Sequence, residues 1–73
     1  MKNREKRVLV IQFANTWLVT DETRYATAAT RDEAIDLAMG ACMANDLDGW
    51  FEGEKTDCQW IDGEGMVPLA AIQ

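Results

Sequence analysis

Residues 30–42 read TRDEAIDLAMGAC, and this stretch sets the architecture. Thr30 and Glu33 have the spacing of a capping box. In that motif the threonine hydroxyl accepts the glutamate N–H and the glutamate carboxylate reaches back to the cap. Asp32, Glu33 and Asp36 put negative charge in the first turns, where the helix dipole favours it. Ile35, Ala38, Met39 and Cys42 recur at intervals of three and four, and Ala34, Leu37 and Ala41 widen that stripe. The pattern predicts an amphipathic helix that stops at Asn45 or Gly49. Gly40 costs about 1 kcal/mol relative to alanine inside a helix, which points to a close backbone approach there.

Working outward, the segments before the helix read as strands. Arg7–Phe13 (RVLVIQF) is rich in β-branched and aromatic residues, Ala14-Asn15 can turn, and Thr16–Thr20 (TWLVT) returns. Asp21-Glu22 is a second polar break before a weaker strand at Thr23–Ala28. After the helix, Thr56–Ile61 and Met66–Leu69 flank Asp62-Gly63-Glu64-Gly65, and Asp-Gly is a hairpin signal. Residues 46–56 are left as helix or loop. The expected fold is α+β: a small antiparallel sheet of three to five strands with one main amphipathic helix packed on one face. With 73 residues the chain forms one domain, residues 1–6 being a flexible basic tail.

The sheet raises a packing question. If the helix covers Leu9, Ile11 and Phe13 together with Trp17 and Val19, then Val8, Val10 and Leu18 face the other way. A sheet covered on one side should not expose three aliphatic residues on the other. Either the tail crosses them through Val67, Leu69 and Ile72, or a second copy of the chain does, which makes Val8, Val10 and Leu18 a candidate homodimer face.

Charge is placed unevenly. Between Asp46 and Glu64 stand seven carboxylates (Asp46, Asp48, Glu52, Glu54, Asp57, Asp62 and Glu64) against one base, Lys55. The net charge of that stretch equals the −6 of the whole chain. The first seven residues carry a net +3. Nucleic acid is not the expected partner, because neutralising phosphates needs a basic stripe that this chain lacks. The commoner explanation of such a run is a solvated face that maintains solubility. The sharper one is a contact surface for a basic protein, since Trp50, Phe51 and Trp60 lie among the acids and aromatic anchors inside a charged rim are how hot spots look. Trp50 and Phe51 are adjacent, so both cannot point inward, and the exposed member is the expected anchor.

The chemistry is defined mostly by what is missing. The chain has no histidine and no serine, which removes the commonest general base and the serine nucleophile. Cys42 falls mid-helix on the apolar stripe, where a reactive thiolate is not expected. The reading is therefore non-enzymatic, with no cofactor. Asp46-Leu47-Asp48-Gly49 resembles the middle of a calcium loop, but the first and twelfth positions then fall on Ala44 and Lys55, so a tight EF-hand is excluded. Two distant cysteines without histidine cannot supply four zinc ligands. The apolar run Val8–Ile11 is too short for an export signal or a membrane span. The cysteines then read as reduced thiols of a cytoplasmic protein in a bacterial or phage-infected cell.

In size, acidity and lack of catalytic residues the chain is similar to small phage inhibitors of defence nucleases, the anti-CRISPR and anti-restriction proteins. That likeness of type implies an acidic surface that occupies the basic, nucleic-acid-binding groove of a target. Residues 16–41, two strands followed by T-x-x-E-A-I-x-x-A, also look like antitoxin and accessory domains in which a hairpin feeds an amphipathic helix. That second likeness covers about a third of the chain and implies a dimerising module.

Overall fold

A computed structural model describes residues 7–72. The basic segment 1–6, expected to be a flexible tail, lies outside the described residues. β1 (Leu9–Phe13) and β2 (Trp17–Thr20) form a hairpin, with Phe13 N–H donating to Thr16 O at 2.8 Å around the Ala14-Asn15 turn. β3 (Tyr25–Ala28) extends it antiparallel to β2, and α1 (Arg31–Asn45) follows. The remaining elements are β4 (Phe51–Lys55), β5 (Cys58–Ile61), β6 (Gly65–Pro68) and a short 3-10 turn at Leu69–Ala71. The main sheet has the order β3-β2-β1-β4, and β5-β6 form a separate hairpin. The fold is α+β, with one long helix among the described residues packed on one face of the sheet.

Several features differ from expectation, two of them in the sheet. Residues 51–55 form a strand, and it runs parallel to β1 with Leu9 beside Phe51 and Phe13 beside Lys55, so the sheet is mixed. Glu, Gly and Lys are depleted in strands, so Phe-Glu-Gly-Glu-Lys carries little intrinsic strand signal. Its pairing comes from β1.

The second difference concerns the two sheet faces. A two-residue turn puts Val10 opposite Val19 and Ile11 opposite Leu18. Val8, Val10 and Val19 therefore share the helix face, while Leu18 joins Phe13 on the other. The expected dimer face of Val8, Val10 and Leu18 does not exist as a unit: its members lie on opposite faces, and all three are buried within the chain. Of the three aliphatics only Leu18 lies on the second face, and the C-terminal hairpin covers it through Cys58 and Trp60 rather than through Val67, Leu69 and Ile72.

The helix begins as its capping box dictates. Thr30 Oγ1 accepts the Glu33 N–H at 3.2 Å, and the Glu33 carboxylate accepts the Ala29 N–H, one residue before the expected one, at 3.0 Å. It ends in a Schellman motif, with Leu47 N–H donating to Cys42 O at 2.8 Å and Asp46 N–H to Met43 O at 3.3 Å. Asp46 holds the left-handed position at φ 59°, a role usually given to glycine. The face that packs is narrower than the apolar stripe. Ala34, Ala38 and Cys42 are buried, whereas Leu37 and Met39 remain partly exposed. Small side chains at four-residue spacing seat the helix on the valines. Gly40 is not a close approach, because a Cβ there would meet nothing within 4 Å.

The hairpin is clamped rather than merely laid down. Asn15 donates to Trp60 O and accepts from Trp60 N–H, both at 3.0 Å, and Ala14 N–H donates to Cys58 O at 2.9 Å. The Trp60 ring then stands 5.7 Å from Phe13 and 5.2 Å from Tyr25, the latter edge-on.

Packing on the alanine ridge predicts opposite effects from two neighbouring substitutions. Gly40→Ala should raise unfolding free energy by about 1 kcal/mol in urea denaturation. Ala38→Leu should lower it by about 1–3 kcal/mol, because a larger side chain has no room against Val10 and Val19. Equal stability of Ala38→Leu and the parent would contradict the observed helix seating.

Candidate contact surface

Trp50 and Phe51 divide as the adjacency argument requires. Trp50 packs against the helix-face core. Phe51 points the other way, beside Leu9, and is 64% exposed. The exposed member of the pair is thus Phe51. Trp60 is half-buried under the second face and serves the hairpin rather than the surface.

All seven carboxylates between 46 and 64 are exposed. Asp46 and Asp48 lie in the connection from α1 to β4, Glu52 and Glu54 lie on β4, Asp57 sits in the turn to β5, and Asp62 and Glu64 occupy the hairpin tip. Alternation along β4 puts Glu52 and Glu54 on the helix face, in register with Val10 and Gln12. Glu52 is engaged: Arg31 Nη2 reaches its two oxygens at 3.0 and 3.1 Å. The Trp50 indole N–H adds a long 3.4 Å contact to the same group. Among the described residues, the other six have no cation within salt-bridge distance. Asp62 accepts the Trp60 indole N–H at 3.3 Å, and Asp57 accepts the Cys58 thiol at 3.4 Å. The acids do not converge. No group of three or more acidic, cysteine or histidine side chains among the described residues could hold a metal ion.

The thiols are placed for packing. Cys42 lies in the core on the helix face, where it donates to Gly49 O, and Cys58 lies on the opposite face. The sheet stands between them, so they cannot pair. Burial, followed by the neighbouring Asp57, pushes the Cys58 thiol above its ordinary value and away from reactivity.

One functional-looking group was not singled out from sequence. Asp21 is the one buried charged residue among those described. Its Oδ1 accepts the Thr23 N–H at 3.1 Å, the Arg24 N–H at 3.0 Å and the Thr23 hydroxyl at 2.9 Å. Its Oδ2 accepts from the Asn45 side chain at 3.2 Å. The backbone donors, and then the side-chain ones, hold its carboxyl well below the ordinary carboxylate range. Asp21 thus ties the β2–β3 turn, where Glu22 takes a left-handed φ of 82°, to the last turn of α1. An aspartate opening a turn is a sequence signal for such side-chain to backbone bonding, and it was readable here.

Asp21 also borders a shallow groove of about 420 Å³ between α1 and β2–β3, floored by Val19, Ala26 and Ala41. Its two oxygens already accept the four internal bonds from Thr23, Arg24 and Asn45. A second groove, about 400 Å³, runs along β4 on the helix face between Trp17, Gln12, Arg31 and Glu54. No helix among the described residues is long and apolar enough to cross a membrane. In comparison with known proteins, the chain matches no protein-family model, no curated protein and no solved structure.

Asp21 makes stability depend on acid in a defined direction. Its folded-state value is depressed, so its contribution is complete above the unfolded value of about 3.9 and is lost as pH falls through the folded one. Asp21→Asn should therefore lose about 1–3 kcal/mol at neutral pH. The gap between variant and parent should narrow in urea unfolding near pH 3. A gap of the same size at both pH values would show that the charge of Asp21 is not what the turn uses.

Proposed function

We propose that the chain is a non-enzymatic contact module that sets its acidic β4 side against a basic surface of another protein, of the kind nucleic-acid-binding proteins carry. The observation that supports this most is Phe51. A phenylalanine left 64% exposed in an edge strand, on the face opposite Glu52 and Glu54, is costly in water and useful at an interface. Asp48, in the connection before β4, and Glu54, on the helix face of the strand, supply negative charge that steers a basic partner and makes association salt-dependent. The inhibitor reading fits: an acidic body of this size can occupy a groove that would otherwise track a phosphate backbone. The dimerising, antitoxin-like reading has less support, since Val8, Val10 and Leu18 are consumed by the chain's own core.

Capture of partners from a bacterial lysate tests the proposal when wild type is compared with a Phe51→Ala, Asp48→Lys, Glu54→Lys variant. These positions are exposed, so the fold should survive the changes. Wild type should retain a basic, nucleic-acid-binding protein at low salt and release it as salt rises. The variant should bind that protein at least about tenfold more weakly. Retention of the same partner by both proteins, or capture of an acidic one, would overturn the proposal.

A further inference from the structure

β4 is an edge of the sheet, bonded on one side only, to β1. Its side chains are exposed throughout. Phe51 N–H donates to Val8 O at 2.9 Å, which fixes the parity of the strand. In a parallel pair alternate residues turn both backbone groups to the same neighbour. Phe51, Gly53 and Lys55 therefore face β1, and the N–H and C=O of Glu52 and Glu54 face outward. These outward groups belong to the two residues whose carboxylates stand on the helix face.

We infer that this edge receives an extended basic segment of the partner, which adds as a further strand beside β4 and lays alternate Lys or Arg side chains over Glu52 and Glu54. The inference rests on the contact reading above and specifies how contact is made. Main-chain bonds to an open edge supply affinity without demanding a particular sequence, and alternate side chains supply the selection. Charge decides the occupant. A second copy paired antiparallel through its own β4 would bring glutamates of both copies together on one face, and like charges directly opposite are destabilising. A basic strand turns that repulsion into attraction. The groove along β4 leaves room for long side chains, with Gln12 next in the row and Trp17 as its far wall. The guanidinium of Arg31 already engages Glu52, whereas Glu54 has no side-chain partner among the described residues. A cation arriving beside Glu54 would supply one. The other edge, β3 (Tyr-Ala-Thr-Ala), carries no charge to select a partner.

The test uses a short acetylated peptide of alternating Lys and Thr, and a second peptide of equal charge whose backbone is N-methylated at alternate residues. Binding is followed by NMR with amide exchange at Glu52 and Glu54. The unmodified peptide should slow exchange at those two amides and bind at least about tenfold more tightly than the methylated one. Equal binding of both peptides, with no added protection at the two amides, would overturn the strand-addition inference and leave a charge-only contact standing. Binding by neither peptide would also overturn it, and the capture experiment then decides separately whether the acidic side is a contact surface at all.

Discussion

The hydrogen bond from Phe51 N–H to Val8 O is the constraint on which the surface depends. It starts the parallel register that carries residues 51–55 along β1, and nothing in their own sequence would hold them there. A parallel neighbour requires a crossover, and β2, β3 and α1 supply it. The Schellman turn at Asp46 and Leu47 then aims the chain back toward the sheet. By this route Trp50 enters the core, Phe51 leaves it, and two glutamates come to lie on an open edge.

The body behind that edge is thin, and it is held by division of labour. One sheet face meets the alanine ridge of α1, where small side chains allow close packing on Val8, Val10 and Val19. The other face meets the β5–β6 hairpin through Cys58 and Trp60. Neither cluster is large, and a domain of this size buries only roughly 60% of its unfolded surface. Polar ties therefore carry unusual weight: Asn15 fastens the hairpin, and Asp21 fastens the β2–β3 turn to the end of the helix. Eight large apolar side chains among the described residues nevertheless stay exposed, Met43 at 82% and Phe51 at 64% being the most open.

Much of this was legible in the residues. The Thr30 and Glu33 cap, the Ala14-Asn15 turn, five of the strands and a helix stop at one of two sites, Asn45 or Gly49, of which the structure takes Asn45, followed from periodicity, caps and breakers. What failed did so for identifiable reasons. β4 was missed because its residue types disfavour strands and its support is non-local. The sheet faces were assigned wrongly although the turn was right, because the pairing of Val10 with Val19 follows from a two-residue loop only when the register is counted through. Gly40 was given a packing role when open space surrounds it. For the surface, residue type predicted that one of Trp50 and Phe51 would be outside, and only the register of β4 could say which. Asp21 looked like a polar break because burial of a charged side chain is decided by its donors, which come here from the β2–β3 turn and from the end of α1.

Acidic side chains on small proteins usually serve solubility. What separates β4 from the hairpin tip is the coincidence of an open backbone edge of the main sheet and a solvent-facing phenylalanine. Site-resolved hydrogen exchange on the free protein probes that arrangement directly. Slow exchange at Phe51, Gly53 and Lys55 with fast exchange at Glu52 and Glu54 is the predicted alternation. Uniformly fast exchange from 51 to 55 would mean that the strand does not pair with β1, and uniformly slow exchange would mean that its outer edge is already covered. Either result would remove the open edge.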